Sequence, residues 1–323
     1  MKLLFCLLFA VCAAGSLGLA QAETWPDRPI RWVVPTAAGG PLDGIGRQVA
    51  QETSKRLGQP IIIENRPGAG GSIGAAVVAK AEPDGYTFLF SQADSLINAV
   101  ALIKDLPYDP RRDFSLVTQA SQTGAVLMAN PDVKGTTLAE VLNAEGNSPA
   151  LSYGSWGPGS YTHILGETLS RRSGAPLIHV PYKGGAPAIQ DFLGKQIQLA
   201  FAPANLARQF AEKGQAKLLA ISGTRRSELL PELPTFAEQG FAEPIFQVGI
   251  WFGLSAPSGT PDAVIERMYE SVAAAMREPA IQKFIADGGG EVMASTPQAF
   301  RAAFEQEFEL VNQTIQQAGV AAK

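Results

Sequence analysis

Ile30-Arg31-Trp32-Val33-Val34-Pro35-Thr36-Ala37-Ala38-Gly39-Gly40-Pro41-Leu42-Asp43 is the stretch whose reading decides the fold. Its first five residues, β-branched or aromatic apart from Arg31, read as a buried strand. Thr36, Ala37, Ala38, Gly39 and Gly40 are small and form a loop, and residues 43–57 carry a helical pattern. The same unit recurs outward from there. Residues 61–63 are a second strand, 72–81 a second helix, and 87–90 a third strand entered through the Asp84-Gly85 turn. Short apolar runs alternating with helices mark parallel βαβ units, so the class is α/β.

The rhythm continues through strands at residues 125–129, 151–154, 177–180, 199–202 and 217–222. Helices beginning near Thr137, Ser160, Ala186 and Ala204 separate them. Residues 247–255 read as one long strand centred on Trp251 and Phe252. Thr260 then caps a helix with Pro261 in its first position, and Thr296-Pro297 repeats the device. In the last helix Phe300, Phe304, Phe308, Val311 and Ile315 recur at helical spacing as a core-facing side, and Gly319 ends it.

The ends and the composition bound the function. Lys2, an uncharged apolar stretch and Ala20-Gln21-Ala22 read as a signal peptide over residues 1–22, cleaved before Glu23. The chain has 2 cysteines, Cys6 and Cys12. Both leave with that peptide, which excludes disulfides, thiolate metal sites and thiol nucleophiles from the mature chain. The formal net charge is −4, and losing Lys2 makes it −5. That balance carries no footprint for nucleic acid. An anionic ligand would have to be held by local donors, because the overall field does not attract it.

Three loops carry the chemistry. In the first, Thr36 to Gly40, the backbone can approach a ligand closely and free N–H groups at a helix start can take an anion. A plain tight turn would use the same residues. Asp43 is expected to cap that helix and to pair with Arg47. The second loop holds Gly70-Gly71-Ser72-Ile73-Gly74, a G-x-S-x-G match. A nucleophile elbow needs its serine directly off a strand, whereas Ser72 follows a loop and reads as a helix N-cap. The third, Ser155-Trp156-Gly157-Pro158-Gly159-Ser160, is another small-residue loop entering a helix, with Trp156 as a pocket wall. His163 and His179 lack metal-spaced partners and read as structural, while Tyr182 is placed to line a cleft. No metal, cofactor or catalytic group is expected.

These residues resemble the receptors of tripartite tricarboxylate transporters, the Bug-type periplasmic binding proteins. The resemblance rests on Trp25-Pro26, Arg28-Pro29-Ile30, Val34-Pro35 with Ala38-Gly39-Gly40, and residues 64–71. It continues through Asp84-Gly85-Tyr86-Thr87, Gly157-Pro158-Gly159-Ser160 with His163, Val180-Pro181-Tyr182-Lys183-Gly184, and the segments around Arg226, Leu233-Pro234 and Ala256-Pro257. It implies a two-lobed, type II-like periplasmic binding fold, each lobe a mostly parallel sheet flanked by helices, with the ligand in the cleft between lobes. Residues 23–123 plus 245–323 would form lobe one and residues 124–244 lobe two. It implies a monomeric periplasmic receptor that takes a small organic acid to integral membrane subunits. The acid would be gripped by backbone N–H groups of the first and third loops, with Tyr182 and, more weakly, Ser91 and Gln92. Relatives place an Asp where this chain has Ala202, so a ligand without an ammonium group is expected. Two other classes use the same features: a secreted hydrolase with Ser72 and His163 or His179, and a sensor reporting to a signalling partner.

Overall fold

The computed structural model describes residues 25–144 and 150–318; the signal-peptide reading and the Gly319 helix stop lie outside them. The strands are β1 Ile30–Val34, β2 Ile61–Asn65, β3 Thr87–Gln92, β4 Phe114–Thr123, β5 Ala125–Ala129, β6 Ser152–Ser155, β7 Ile178–Pro181, β8 Leu199–Pro203, β9 Lys217–Ile221, β10 Ile250–Pro257 and β11 Gly290–Val292. The α-helices are α1 Pro41–Leu57, α2 Ser72–Ala79, α3 Ala99–Leu102, α4 Leu138–Asn143, α5 Tyr161–Ser173 and α6 Gly185–Leu193. They continue with α7 Ala204–Glu212, α8 Pro244–Gln247, α9 Asp262–Met276, α10 Pro279–Asp287 and α11 Pro297–Ala318.

Two sheets result, a six-stranded one in the order β11-β4-β10-β3-β1-β2 and a five-stranded one in the order β7-β6-β8-β5-β9. The βαβ units pair in parallel, β1 with β2 and β3, and β6 with β7 and β8. Both sheets are nevertheless mixed instead of mostly parallel. Strands β4 and β10 carry the chain out of the first sheet and back, so β10 runs antiparallel to β3 and to β4. For the same reason β5, which follows β4 directly, is antiparallel to β8 and β9.

Several boundaries differ from the sequence reading. Strand β4 is central but carries Thr118, Gln119, Ser121 and Gln122, so it lacks the apolar run that marks a strand. The strand at β10 begins only at Ile250, because Pro244 starts a short helix first. Pro261 sits in the cap position of α9, and the Thr260 hydroxyl donates to the Pro257 carbonyl (2.8 Å) instead of capping. Ser72 opens α2 after Gly71 as cap, and is not itself the cap. Thr296 does cap α11, accepting the Ala299 N–H at 3.2 Å.

The phenylalanine side of α11 faces the core as its period requires. Phe300 is buried, meets the Trp251 ring edge-on at 5.2 Å and lies over Gly253, where an added Cβ would come within 2.8 Å of it. Truncating this ring leaves a cavity that the rigid sheet cannot close. Phe300→Ala should therefore lower the unfolding free energy by about 3–5 kcal/mol in urea titrations followed by tryptophan fluorescence. A loss below about 1 kcal/mol would show that α11 is not part of the core.

Candidate functional site

The first loop is built by a buried acid. Pro41 opens α1, Gly40 precedes it in extended backbone, and Asp43 in the first turn reaches back. Its Oδ2 accepts the Gly39 N–H at 2.9 Å and Arg47 Nε at 3.0 Å, while its Oδ1 accepts Asn65 Nδ2 at 2.9 Å. Asn65 Nδ2 also donates to the Thr36 carbonyl (3.1 Å), tying β2 to the loop. Burial works to raise the Asp43 pKa, but Arg47, the Gly39 N–H and Asn65 together hold it below the usual carboxylate range. Asp43 thus organises the loop from its N3 position, and the expected pairing with Arg47 is present. Gly39, at φ +87°, turns the chain in a conformation glycine adopts without strain. Its N–H is committed to Asp43. Ala37, Ala38, Gly40 and Leu42, by contrast, have no acceptor for their N–H groups among the described residues. Ala37 and Ala38 are exposed, and the Thr36 hydroxyl is buried without a protein partner.

A small cavity lies between the two sheets, lined by Gln92, Asp94, Asn98, Trp156, Tyr161 and Glu307 among others. It offers about 10 Å³ to a water-sized body, roughly room for one water. Asp94 sits in a π-helical turn, Asp94–Asn98, just after β3. It accepts Gln92 Nε2 at 2.8 Å and Asn98 Nδ2 at 2.7 Å, and the Tyr161 N–H at the start of α5 is turned to it. Burial raises its pKa to about 6, against the pull of those donors. Glu307 on α11 accepts Trp251 Nε1 at 2.8 Å. Burial, with the Asp94 charge adding, raises its pKa to about 8, so it holds its proton at neutral pH.

Of the expected site residues, this cavity gathers only Gln92 and Trp156. Thr36 to Gly40 do not line it. Ser91 is fully buried within β3, opposite Gly253. Tyr182 donates its hydroxyl to Asp191 at 2.7 Å and packs on the core of its own sheet. Ala202 is 1 % exposed, in an apolar cluster with Val126, Met128 and Ala200 beneath α6 and α7. Side chains alternate along a strand, so β8 turns Phe201 to one face and Ala202 to the other. The inference from Ala202 that the ligand lacks an ammonium group therefore has no geometric basis. Asp94 and Glu307 are the residues that sequence reasoning missed. Glu307 had a signal: it interrupts the apolar stripe of Phe300, Phe304 and Val311.

The third loop uses its donors on itself. The Trp156 N–H goes to Thr162 Oγ1 (3.0 Å), Gly157 N–H to Ser155 Oγ (3.2 Å), Gly159 N–H to His163 Nδ1 (2.8 Å) and Ser160 N–H to the Gly157 carbonyl (3.1 Å). Ser155, Gly157, Gly159 and Ser160 are buried, which corrects the expectation that their N–H groups grip a ligand. His163 and His179 stack at 3.8 Å, and Ser155 Oγ bonds His179 Nε2 at 2.7 Å. The histidines' bonds go to Gly159 and Ser155, not to Ser72. Ser155 and His179 pair as a hydrolase's serine and histidine do, but Glu167 accepts from Tyr153 (2.7 Å) and the Ser155 hydroxyl is enclosed by the loop. His163, Glu167 and His179 also bring ligand atoms within 4.8 Å of one another. A metal fits poorly there: Gly159 fills the Nδ1 lone pair of His163, so Nε2 carries the proton, and stacked rings hold their lone pairs side by side.

Burial, then the neighbouring His179, lowers the His163 pKa to about 4. The unfolded chain thus binds more protons between pH 4 and 6.5, and this contribution to stability is complete above 6.5 and lost as pH falls toward 4. His163→Asn lacks it. The gap in unfolding free energy between wild type and His163→Asn should shrink on acidification from pH 7 to 4, by up to about 3 kcal/mol. A gap independent of pH would contradict a neutral His163 strut.

Comparison with known proteins places this geometry. Residues 45–320 match the model of the tripartite tricarboxylate transporter family receptor. Protein BugT of Bordetella pertussis is 30% identical over 315 residues, covering 97% of this chain and 96% of BugT. The solved periplasmic binding protein BugD superposes with a TM-score of 0.81 at 33% identity, over 93% of this chain and 100% of that one. The structure of R. palustris Rpa4515 with adipate gives a TM-score of 0.83 at 29% identity, again over 93% and 100%. The chain belongs to the tripartite tricarboxylate transporter receptor family.

Proposed function

We propose that this protein is a periplasmic receptor that captures a small organic carboxylate and presents it to the membrane subunits of a tripartite transporter. The observation that carries the reading is the first loop, where Ala37, Ala38 and Gly40, none of them buried, have N–H donors that no other described residue uses. These donors sit at the positive end of α1, a 17-residue helix, where a carboxylate is favoured. Arg47, the nearby cation, is committed to Asp43 and Asn65, so recognition falls to the backbone. Adipate in Rpa4515 supports a carboxylate as the ligand class.

Residues 23–123 with 245–323, and residues 124–244, are the two bodies that would close on the acid. The cavity between them is too small for an organic acid, so the ligand enters a more open arrangement and is enclosed by a hinge motion. The signal peptide over residues 1–22 delivers the chain to the periplasm in this account.

Gly40→Val tests the loop cleanly. Gly40 has an ordinary φ of −79°, and an added Cβ would meet nothing nearer than the Ala37 carbonyl at 3.7 Å. The fold should survive while the branched side chain blocks the approach of a carboxylate to the donors. After a thermal-shift screen of short mono- and dicarboxylates identifies a ligand, calorimetry should show at least a roughly tenfold weaker Kd, a loss of about 1.4 kcal/mol. The unliganded melting temperature should stay unchanged. Equal affinity in the variant would reject this loop as the grip.

A further inference from the structure

The second half of the cleft presents a different situation. Helix α5 is 13 residues long and starts at Tyr161, with Ser160 as its cap. Its first N–H is already turned to a carboxylate, but that carboxylate belongs to the protein. Asp94 comes from the other sheet, from the turn that follows β3. No Lys, Arg or His lines the cavity around it. Among the described residues its charge is met by the Gln92 and Asn98 amides and by the positive end of α5. The same three kinds of donor are what a ligand's carboxylate would seek.

The contact also joins the two sheets. Asn98, which holds Asp94, donates at the same time to the Gly159 carbonyl of the third loop at 3.2 Å. Leu102 packs so closely on Gly159 that an added Cβ there would lie 1.9 Å from the leucine Cδ1. Tyr161 itself reaches the Val248 carbonyl on the returning chain. Asp94 thus stands at a seam where the third loop, α5 and the turn of Asp94–Asn98 meet.

We propose that Asp94 is a resident stand-in for the ligand's carboxylate: it fills the anion seat at the start of α5, holds the two lobes together in the empty protein, and must leave before an incoming acid can take that seat. The inference rests on the receptor reading given above. It makes Asp94 a determinant of affinity without contact to the bound acid. Part of the ligand's binding free energy goes into displacing an internal competitor, which lowers the apparent affinity. Glu307 beside it keeps its proton and so does not repel the acid that arrives.

The test uses the mature protein with Asp94→Asn, which keeps the shape, and Asp94→Ala, which removes the group. Small-angle X-ray scattering of the ligand-free proteins should give a larger radius of gyration for Asp94→Ala than for wild type. Calorimetry with adipate as the probe should give a Kd roughly tenfold tighter for Asp94→Asn, because the seat is no longer contested by a charge. Near-ultraviolet circular dichroism confirms that both variants fold. An unchanged radius in the folded alanine variant, or a Kd equal to or weaker than wild type in the asparagine variant, would overturn the proposal. If adipate and other short carboxylates bind none of the three proteins, the receptor reading fails. The scattering result then still decides whether Asp94 latches the lobes.

Discussion

Gly124 is the pinch on which the arrangement of this molecule depends. It is the single residue between β4 of the first sheet and β5 of the second. A Cβ there would lie 2.4 Å from the Ser222 carbonyl oxygen and 2.6 Å from Ile221 Cγ1, so only glycine lets the chain enter β5 this close to the end of β9. The two chains are then stitched together: the Ala125 N–H donates to Ser222 Oγ at 2.9 Å, and the Ser222 N–H to the Ala125 carbonyl at 3.0 Å. This contact pins the start of β5 to the end of β9 at the point where the chain leaves the first sheet. Because β4 leaves that sheet and β10 re-enters it, β10 runs antiparallel to both β3 and β4 and the sheet is mixed.

In the proposed receptor, recognition falls to the loops of small residues. Each lobe contributes a loop of small residues entering a helix, yet the two loops have different fates. In the first, one buried aspartate absorbs a single N–H and the local cation, leaving the remaining donors open. In the third, the serines, Thr162 and His163 absorb the donors of the loop itself, and the N–H that opens α5 is turned toward Asp94. The site is therefore electrostatically lopsided. In the proposed receptor, a chain of net charge −4 would offer an anion one set of free backbone dipoles and one seat held by Asp94, and specificity would follow from the competition between the two.

Much of this was legible in the sequence because it rests on local rules. The strand–loop–helix over residues 30–57 announces itself by β-branched residues, then small ones, then helical period. The stripe from Phe300 to Ile315 gives the inner side of α11 for the same reason. What was not legible depends on partners far along the chain. Strand β4 is polar because its hydroxyls and amides are enclosed by β10, β11 and α11, and nothing local says so. Ala202 looked like a missing charge at a cleft, but the strand's alternation turns it into the core. The donors of the third loop looked free until the fold stacked His163 on His179 and brought Thr162 back to Trp156. Asp94 gains its meaning only from a helix that starts more than sixty residues later.

Amide chemical shifts report the central claim most directly. In a 15N-labelled sample titrated with a short carboxylate that raises the melting temperature, the shifts of Ala37, Ala38 and Gly40 should move furthest and downfield, as N–H groups donating to an anion do. Shifts confined to other parts of the chain, with these three amides unmoved at saturation, would contradict a receptor that grips its acid by the first loop.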